Sequence, residues 1–156
     1  MVRCLSFALL SLLLTFAGCG RTTPDTLVSS GYNELEMEAA IARARREVDS
    51  FVSELTNPTG TNHAVKAPIE DRGETEHFWL SNVSFKNGEF TGTIDNEPGM
   101  VGNVKLGQSW TIKKSDISDW MFMRDGKMHG NYTMRPLLKT LPEEEAAQYR
   151  DLFATP

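Results

Sequence analysis

The hydrophobic pattern of this chain changes period near residue 60, and the change predicts a helix followed by a sheet. From Asn33 to Thr56, apolar residues recur at steps of three and four, as in an amphipathic helix. Asn33 and Glu36 form a capping box at its start, and Asn57-Pro58 ends it. The apolar stripe consists of Met37, Ile41, Ala44, Val48, Phe51, Val52 and Leu55. A stripe of this width predicts that the helix packs against another element.

Beyond the helix, apolar and polar residues alternate with the period of two that is typical of half-buried strands. Asn87-Gly88 is a strong hairpin signal, and Ser81-Asn82 indicates a bulge. The expected strands are His63–Ile69, Glu76–Lys86, a return strand through Phe90, Gly92 and Ile94, then Val101–Leu106, Ser109–Lys113 and the two strands of a last hairpin. The predicted fold class is therefore α+β, with the N-terminal amphipathic helix packed on a curved antiparallel sheet of about five to six strands.

The last hairpin is predicted around Asp125-Gly126 and ends at Pro136. A two-residue turn there would pair Met121 with Gly130 and Arg124 with Lys127. A second capping box, from Thr140 to Glu143, then begins a short C-terminal helix that reaches Phe153.

The first residues form a targeting segment rather than part of the fold. The apolar run from Leu5 to Phe16 is shorter than the ~20 residues that a membrane-spanning helix needs. It ends in Phe16-Ala17-Gly18-Cys19, which resembles a bacterial lipoprotein signal, where the cysteine becomes the lipidated N-terminus. An ordinary secretory signal cleaved near Gly18 is the alternative. We expect a signal peptide at residues 1–18, a flexible tether at 19–32 and a single domain at 33–156.

This signal predicts a lipoprotein of the cell envelope, anchored to a membrane through Cys19 and facing the periplasm or the exterior. Cys4 would leave with the signal and Cys19 would carry lipid. Disulfides, cysteine metal sites and cysteine nucleophiles are therefore excluded from the folded part.

The charge of the chain bears on its partners. The 156 residues carry a net charge of −5 and contain no basic block, which argues against nucleic acid as a partner. One basic cluster on the helix, Arg43, Arg45 and Arg46, is interpreted as a solvated face paired with acids such as Glu38 and Glu47.

Directional polar groups are concentrated among large apolar residues between Ser115 and Leu138. An indole face, a carboxylate and a guanidinium are expected to lie close together there. One interpretation is that they line a shallow pocket for a small polar ligand or a peptide end. The candidate binding residues are Asp119, Trp120, His129, Tyr132 and Arg135. A structural alternative stays open, in which Asp119 caps the turn after Asp116, Trp120 is core and Arg135 pairs with Asp119.

Catalysis and metal binding have weaker support in the sequence. A zinc site needs converging histidine and carboxylate ligands, but His63, His77 and His129 lie on different predicted strands without metal-motif spacing. Thr133 lies ~13 Å from His129 along one strand, too far for a hydrogen bond. We expect no cofactor and no metal, and predict a non-catalytic binding or interaction module for an envelope protein or peptide. The alternative is a small envelope hydrolase or metal-binding enzyme that uses His129 and Asp119.

Several short motifs resemble a bacterial family known as domain of unknown function 2314, over about Met37 to Phe153. The motifs are Ala64-Val65-Lys66, His77-Phe78-Trp79-Leu80, Asn96-Glu97-Pro98, Val104-Lys105-Leu106-Gly107-Gln108, Ile117-Ser118-Asp119-Trp120-Met121, Gly126-Lys127, Gly130-Asn131-Tyr132-Thr133 and Arg135. The resemblance implies a compact α+β domain that is sometimes exported. It implies no activity, because the family has none established.

Overall fold

The structure is a computed structural model that describes residues 31–154. The expected signal peptide and Cys19 lie outside the described residues, as does nearly all of the expected tether. The elements are α1 (Glu34–Thr56), β1 (Thr61–Asp71), β2 (Glu74–Lys86), β3 (Glu89–Ile94), β4 (Ser109–Lys113), β5 (Asp119–Arg124), β6 (Lys127–Gly130), α2 (Met134–Leu138) and α3 (Glu143–Arg150). An N-terminal helix, a six-stranded antiparallel sheet and short C-terminal helices confirm the α+β class.

The strands form one open sheet in the order β4-β3-β2-β1-β5-β6. The last hairpin therefore pairs with β1, at the opposite side of β1 from β2. The predicted bulge in β2 is present, since the pairing with β3 shifts between Ser81 and Ser84. This order brings the stretch with the candidate binding residues next to the first strand.

Helix α1 begins as its sequence predicts. The side chain of Asn33 accepts a hydrogen bond of 3.1 Å from the backbone N–H of Glu36. Ala44, Val48 and Phe51 are buried in the core of the sheet, as members of the predicted stripe. Among the described residues 31–154, no helix is long and apolar enough to cross a membrane.

The last hairpin has the predicted register but ends earlier than expected. Met121 pairs with Gly130 and Arg124 with Lys127, as the two-residue turn requires. Strand β6 then stops at Gly130, which has φ +75°, and Asn131 follows with φ +48°. A Cβ atom at position 130 would lie 2.2 Å from the carbonyl oxygen of Trp120, so only glycine fits there. Tyr132 and the residues after it therefore lie in a turn and in α2, not in a strand.

Two other predicted elements are absent or shorter. The segment Val101–Leu106 is not a strand, because the buried carboxylate of Glu76 accepts the backbone N–H groups of Gly99, Met100 and Val101. Those groups are then unavailable to a strand partner. Helix α3 ends at Arg150 rather than Phe153. Residues 152–154 run beside β6, where Met128 donates to Leu152 at 2.7 Å and accepts from Ala154 at 2.9 Å.

Candidate functional site

A cavity of about 370 Å³ lies between α1, the β5–β6 hairpin and the chain segment beside β6. We name it the α1–hairpin cavity. Four of the predicted binding residues line it, namely Trp120, His129, Tyr132 and Arg135. The structure thus brings most of the candidate set together, although Asp119 is not among the lining residues.

Asp119 organises the turn behind the cavity. Its side chain is fully buried and accepts hydrogen bonds from the backbone N–H groups of Trp120, Tyr132 and Thr133 at 2.9, 3.1 and 2.7 Å. The Thr133 hydroxyl adds a fourth bond at 2.7 Å and itself accepts from Lys66 at 3.0 Å. Burial raises the pKa of Asp119, while the bonds from Thr133 and the charge of Lys66 oppose this shift. Asp119 therefore caps a turn, but the one after β6 rather than the one after Asp116.

Trp120 forms the inner side of the cavity and belongs to the core. Its indole N–H donates to the carbonyl oxygen of Ala44 on α1 at 2.9 Å. The ring stacks on Phe51 with centroids 5.4 Å apart, and the Tyr132 ring meets it edge-on at 5.6 Å. The structural interpretation of Trp120 is thus correct, since only 3% of its surface is exposed.

His129 lies flat on Phe122, with centroids 4.7 Å apart and planes within 3°. Burial, and then the neighbouring charge of Arg124, lower the pKa of His129 below its usual value. The imidazole is therefore uncharged at neutral pH and presents an aromatic ring to the cavity.

A hydrogen-bonded chain joins α1 to Tyr132. Arg43 donates to Glu47 at 2.8 Å, and the Tyr132 hydroxyl donates to the other oxygen of Glu47. The Arg43 guanidinium also lies 4.5 Å from the centre of the Tyr132 ring. Burial opposes ionisation of Glu47, but the bonds from Tyr132 and Arg43 outweigh it and lower the pKa of Glu47. Burial and the bond to Glu47 raise the pKa of Tyr132 to about 12, so this phenol stays protonated.

Glu54 and Arg124 close another side of the cavity. Glu54 accepts two backbone hydrogen bonds of 2.7 Å, from Thr59 and Gly60, and a third from the Thr59 hydroxyl at 2.9 Å. Burial alone would raise the pKa of Glu54, but these bonds lower it to about 2. Arg124 lies 3.7 Å from the same carboxylate and donates to Thr59 at 3.0 Å. Both charges are therefore satisfied within the protein.

Arg135 differs from the other two arginines of the cavity. Its guanidinium carbon lies 4.4 Å from the centre of the Phe153 ring and 5.7 Å from that of Tyr132. Its Nε atom is buried and has no hydrogen-bond acceptor in the part of the chain that the structure describes. No ion pair joins it to Asp119 among residues 31–154, so the expected pairing of these two residues is wrong.

The sequence comparisons agree with this architecture. The family model of an "uncharacterized protein conserved in bacteria (DUF2314)" matches residues 34–153, which include α1 and the whole sheet. The chain belongs to the DUF2314 family. Its resemblance to domain of unknown function 2314 is thereby confirmed.

This DUF2314 protein is similar to two other bacterial proteins. It is 51% identical over 143 residues to the uncharacterized protein YegJ of Escherichia coli K12, covering 91% of this chain and 93% of YegJ. It is also 35% identical over 89 residues to a putative ankyrin repeat protein of Neisseria meningitidis serogroup B, covering 54% of this chain and 35% of that protein. No solved structure matches the chain.

The residues considered for catalysis do not come together in this DUF2314 domain. His129 stacks on Phe122, while the oxygens of Asp119 bond to the turn at residues 131–134. His63 bonds to Glu54 at 3.2 Å, and His77 bonds to the buried Ser118 at 2.8 Å. Within residues 31–154, no three potential ligands form a group that could hold a metal ion.

Sequence reasoning missed the contribution of α1 to the cavity. Arg43, Glu47 and Glu54 line it together with the hairpin residues. The spacing of Arg43 and Glu47 by four residues indicated that the two side chains would pair on the helix surface, and they do. That spacing does not show that Tyr132 completes the pair, because this contact spans 85 positions.

Proposed function

We propose that this DUF2314 protein is a non-catalytic binding module of the cell envelope, and that its α1–hairpin cavity binds a carboxylate group of a peptide or protein partner. The observation that carries the proposal is Arg135, whose buried Nε lacks an acceptor among the described residues. A buried donor without an acceptor costs free energy, roughly 1–3 kcal/mol. A ligand carboxylate would supply that acceptor and a countercharge.

The arrangement of charges favours an anion over a cation at this position. Three arginines and two glutamates line the cavity, and both glutamates are occupied by donors from the protein. Arginine binds carboxylates through two parallel hydrogen bonds, which makes it the side chain suited to a peptide end. The stacked rings of His129 and Phe122 provide an apolar surface beside it for the adjoining side chain.

The location at the envelope is proposed from the sequence. Residues 1–18 have the pattern of an export signal, and Cys19 directly follows Ala17-Gly18, the small residues that a lipoprotein signal places there. A lipid on Cys19 would hold the domain at a membrane surface, with residues 19–32 as the connection.

Substitution of Cys19 by alanine tests the anchor. We expect Cys19→Ala to move the protein from the membrane fraction to the soluble fraction, or to leave an uncleaved precursor, because no sulfur remains to carry lipid. Fractionation and intact mass of the full chain measure this. Cys4→Ala is the matched control, since Cys4 leaves with the signal. Unchanged mass and membrane retention of Cys19→Ala would show that the chain is not a lipoprotein.

The cavity is tested with a pair of probes that differ only in charge. N-acetyl-L-phenylalanine carries a carboxylate, and N-acetyl-L-phenylalaninamide has nearly the same shape without it. We expect calorimetry with the full chain to show binding of the acid, and affinity for the acid lower by at least ~10-fold in Arg135→Gln. Arg135→Lys keeps the charge but loses the planar donor pair, so its affinity for the acid should lie between those of the wild type and Arg135→Gln.

Arg72 offers the control for this experiment. It is exposed in the turn between β1 and β2, with φ +53°, and Arg72→Asn removes one charge at a position that tolerates asparagine. Its affinity for the acid should equal that of the wild type. Equal binding of acid and amide, or unchanged affinity in a folded Arg135→Gln, would contradict the proposed cavity ligand.

A further inference from the structure

A second, larger groove shares no lining residue with the α1–hairpin cavity. It has a volume of about 700 Å³ and is formed by the end of α1, the start of β1, the bulged part of β2 and the residues after β3. We name it the Trp79 groove, since the half-buried indole of Trp79 is its largest side chain. Nothing in the proposed function uses it.

Amides are the most common polar side chains of the Trp79 groove. Asn62, Asn82 and Asn96 line it, with His63, Ser81 and Asp95. The side chains of Asn62 and Asn82 make no hydrogen bond within residues 31–154 and are exposed. Asn96 accepts from the backbone N–H of Trp79 at 2.9 Å, which leaves its amide N–H groups for another partner.

The backbone holds two of these amides in an unusual conformation. Asn62 has φ +55° and Asn82 has φ +51°, and the strand pairing shifts beside each of them. Both residues thus lie at irregularities that interrupt a regular strand, and both line the same groove. Asparagine tolerates this conformation better than most residues, but so does glycine, so tolerance alone does not require the amide.

The remaining surface of the groove is apolar. Leu55, Ala64, Val83 and Met121 contribute to it beside the Trp79 ring. The groove therefore pairs an aromatic and aliphatic surface with amides that both donate and accept. Asp95 is its only carboxylate, and no arginine or lysine is among its lining residues within 31–154, so the nearest fixed charge that the lining presents to an anionic ligand is repulsive.

We propose that the Trp79 groove binds a neutral saccharide. A pyranose ring has a flat face of C–H groups that packs on an indole, and hydroxyls around its edge that donate and accept hydrogen bonds. The lining matches both features of such a ring. The indole matches the C–H face, and the amides and the single carboxylate supply hydrogen-bond donors and acceptors for the hydroxyls. The ammonium of Lys66 lies over one face of the Trp79 ring, 4.7 Å from the ring centre, so the proposed sugar would pack on the other face.

The experiment uses the full chain and a fixed panel of neutral disaccharides: N,N′-diacetylchitobiose, cellobiose, maltose and lactose. We expect at least one to shift the indole NMR signal of Trp79 in a saturable manner. Digalacturonic acid, which is anionic, should bind at least fivefold more weakly than that disaccharide. Absence of saturable binding across the neutral panel, or preference for the anion, would overturn the proposal.

Glycine substitutions isolate the amides without straining the backbone. The double variant Asn62→Gly/Asn82→Gly keeps the positive φ angles and removes both amides, and its affinity should fall at least fivefold. Asn87→Gly is the matched control, because Asn87 has φ +53° in the exposed β2–β3 turn outside the groove. Equal affinity in the double variant and the control would overturn the assignment of the amides.

Trp79→Phe tests the stacking surface and should weaken binding about tenfold. If this variant does not fold, the glycine variants still decide the matter. Binding of N-acetyl-L-phenylalanine should be unchanged in the glycine variants, since that probe occupies the α1–hairpin cavity. Failure of the saccharide proposal is thus distinguishable from failure of the proposed function.

Discussion

Replacing Asp119 by alanine is expected to lower the free energy of unfolding by about 3–5 kcal/mol. The carboxyl group is fully buried and accepts four hydrogen bonds, three from backbone N–H groups and one from the Thr133 hydroxyl. Alanine would leave these donors buried without an acceptor, and Lys66 would lose the negative charge beside it. Urea denaturation followed by circular dichroism measures the change.

Asp116 provides the control for this substitution. It is exposed, three positions from Asp119 and in the turn before β5, so Asp116→Ala should change stability by less than ~0.5 kcal/mol. Asp119→Asn keeps one acceptor oxygen but points an NH₂ group at donors, and its loss should be comparable with that of alanine. A loss below ~1 kcal/mol in Asp119→Ala would show that the turn after β6 does not depend on this carboxyl.

Phe51→Ala is the apolar counterpart and should also cost about 3–5 kcal/mol. Phe51 is fully buried on α1, and its ring contacts Phe90, Trp120 and Phe122 at centroid distances of 5.9, 5.4 and 6.5 Å. Its removal leaves a cavity where α1 meets the sheet and withdraws the ring on which Trp120 stacks. The midpoint of urea denaturation should fall accordingly.

Leu35→Ala is the matched control, because Leu35 lies on the same helix with 77% of its surface exposed. It should leave the denaturation midpoint unchanged within ~0.5 kcal/mol. If Phe51→Ala and Leu35→Ala both had the denaturation midpoint of the wild type, α1 would be peripheral to the cooperative unit rather than part of the core.

Local patterns predicted most of the architecture. The apolar stripe and its capping residue Asn33 placed α1, and Asn87-Gly88 and Asp125-Gly126 placed their hairpin turns and the pairing of Met121 with Gly130. These features depend on residues near one another in sequence, where periodicity and turn preferences determine the conformation.

The features that sequence reasoning missed depend on distant partners. Val101–Leu106 alternates like a strand, but Glu76 binds the backbone at its start. Strand β6 ends at Gly130, where the backbone turns with positive φ at residues 130 and 131 and the Trp120 carbonyl oxygen lies where a Cβ atom would be. The glycine is visible in the sequence, but the distant group that it approaches is not.

The candidate site could also be predicted only in part. The concentration of polar groups in the last hairpin identified five candidate binding residues, and four of these line one cavity. The expected contact of Asp119 with Arg135 is absent among the described residues, because the turn at 131–134 bonds to Asp119 while Arg135 packs on Phe153. Glu47 and Glu54 line the cavity because α1 packs against the hairpin, and the sequence does not show how these two elements meet.

The order of the strands has a consequence for folding kinetics. The two sides of the α1–hairpin cavity come from opposite ends of the domain: Trp120 bonds to Ala44 across 76 positions, and Tyr132 to Glu47 across 85. Contacts of such high sequence separation require closure of a long loop, which slows folding. A nascent or truncated chain that lacks β5 and β6 has α1 but no cavity. Ligand binding at Arg135 would therefore report completed folding rather than the presence of the chain.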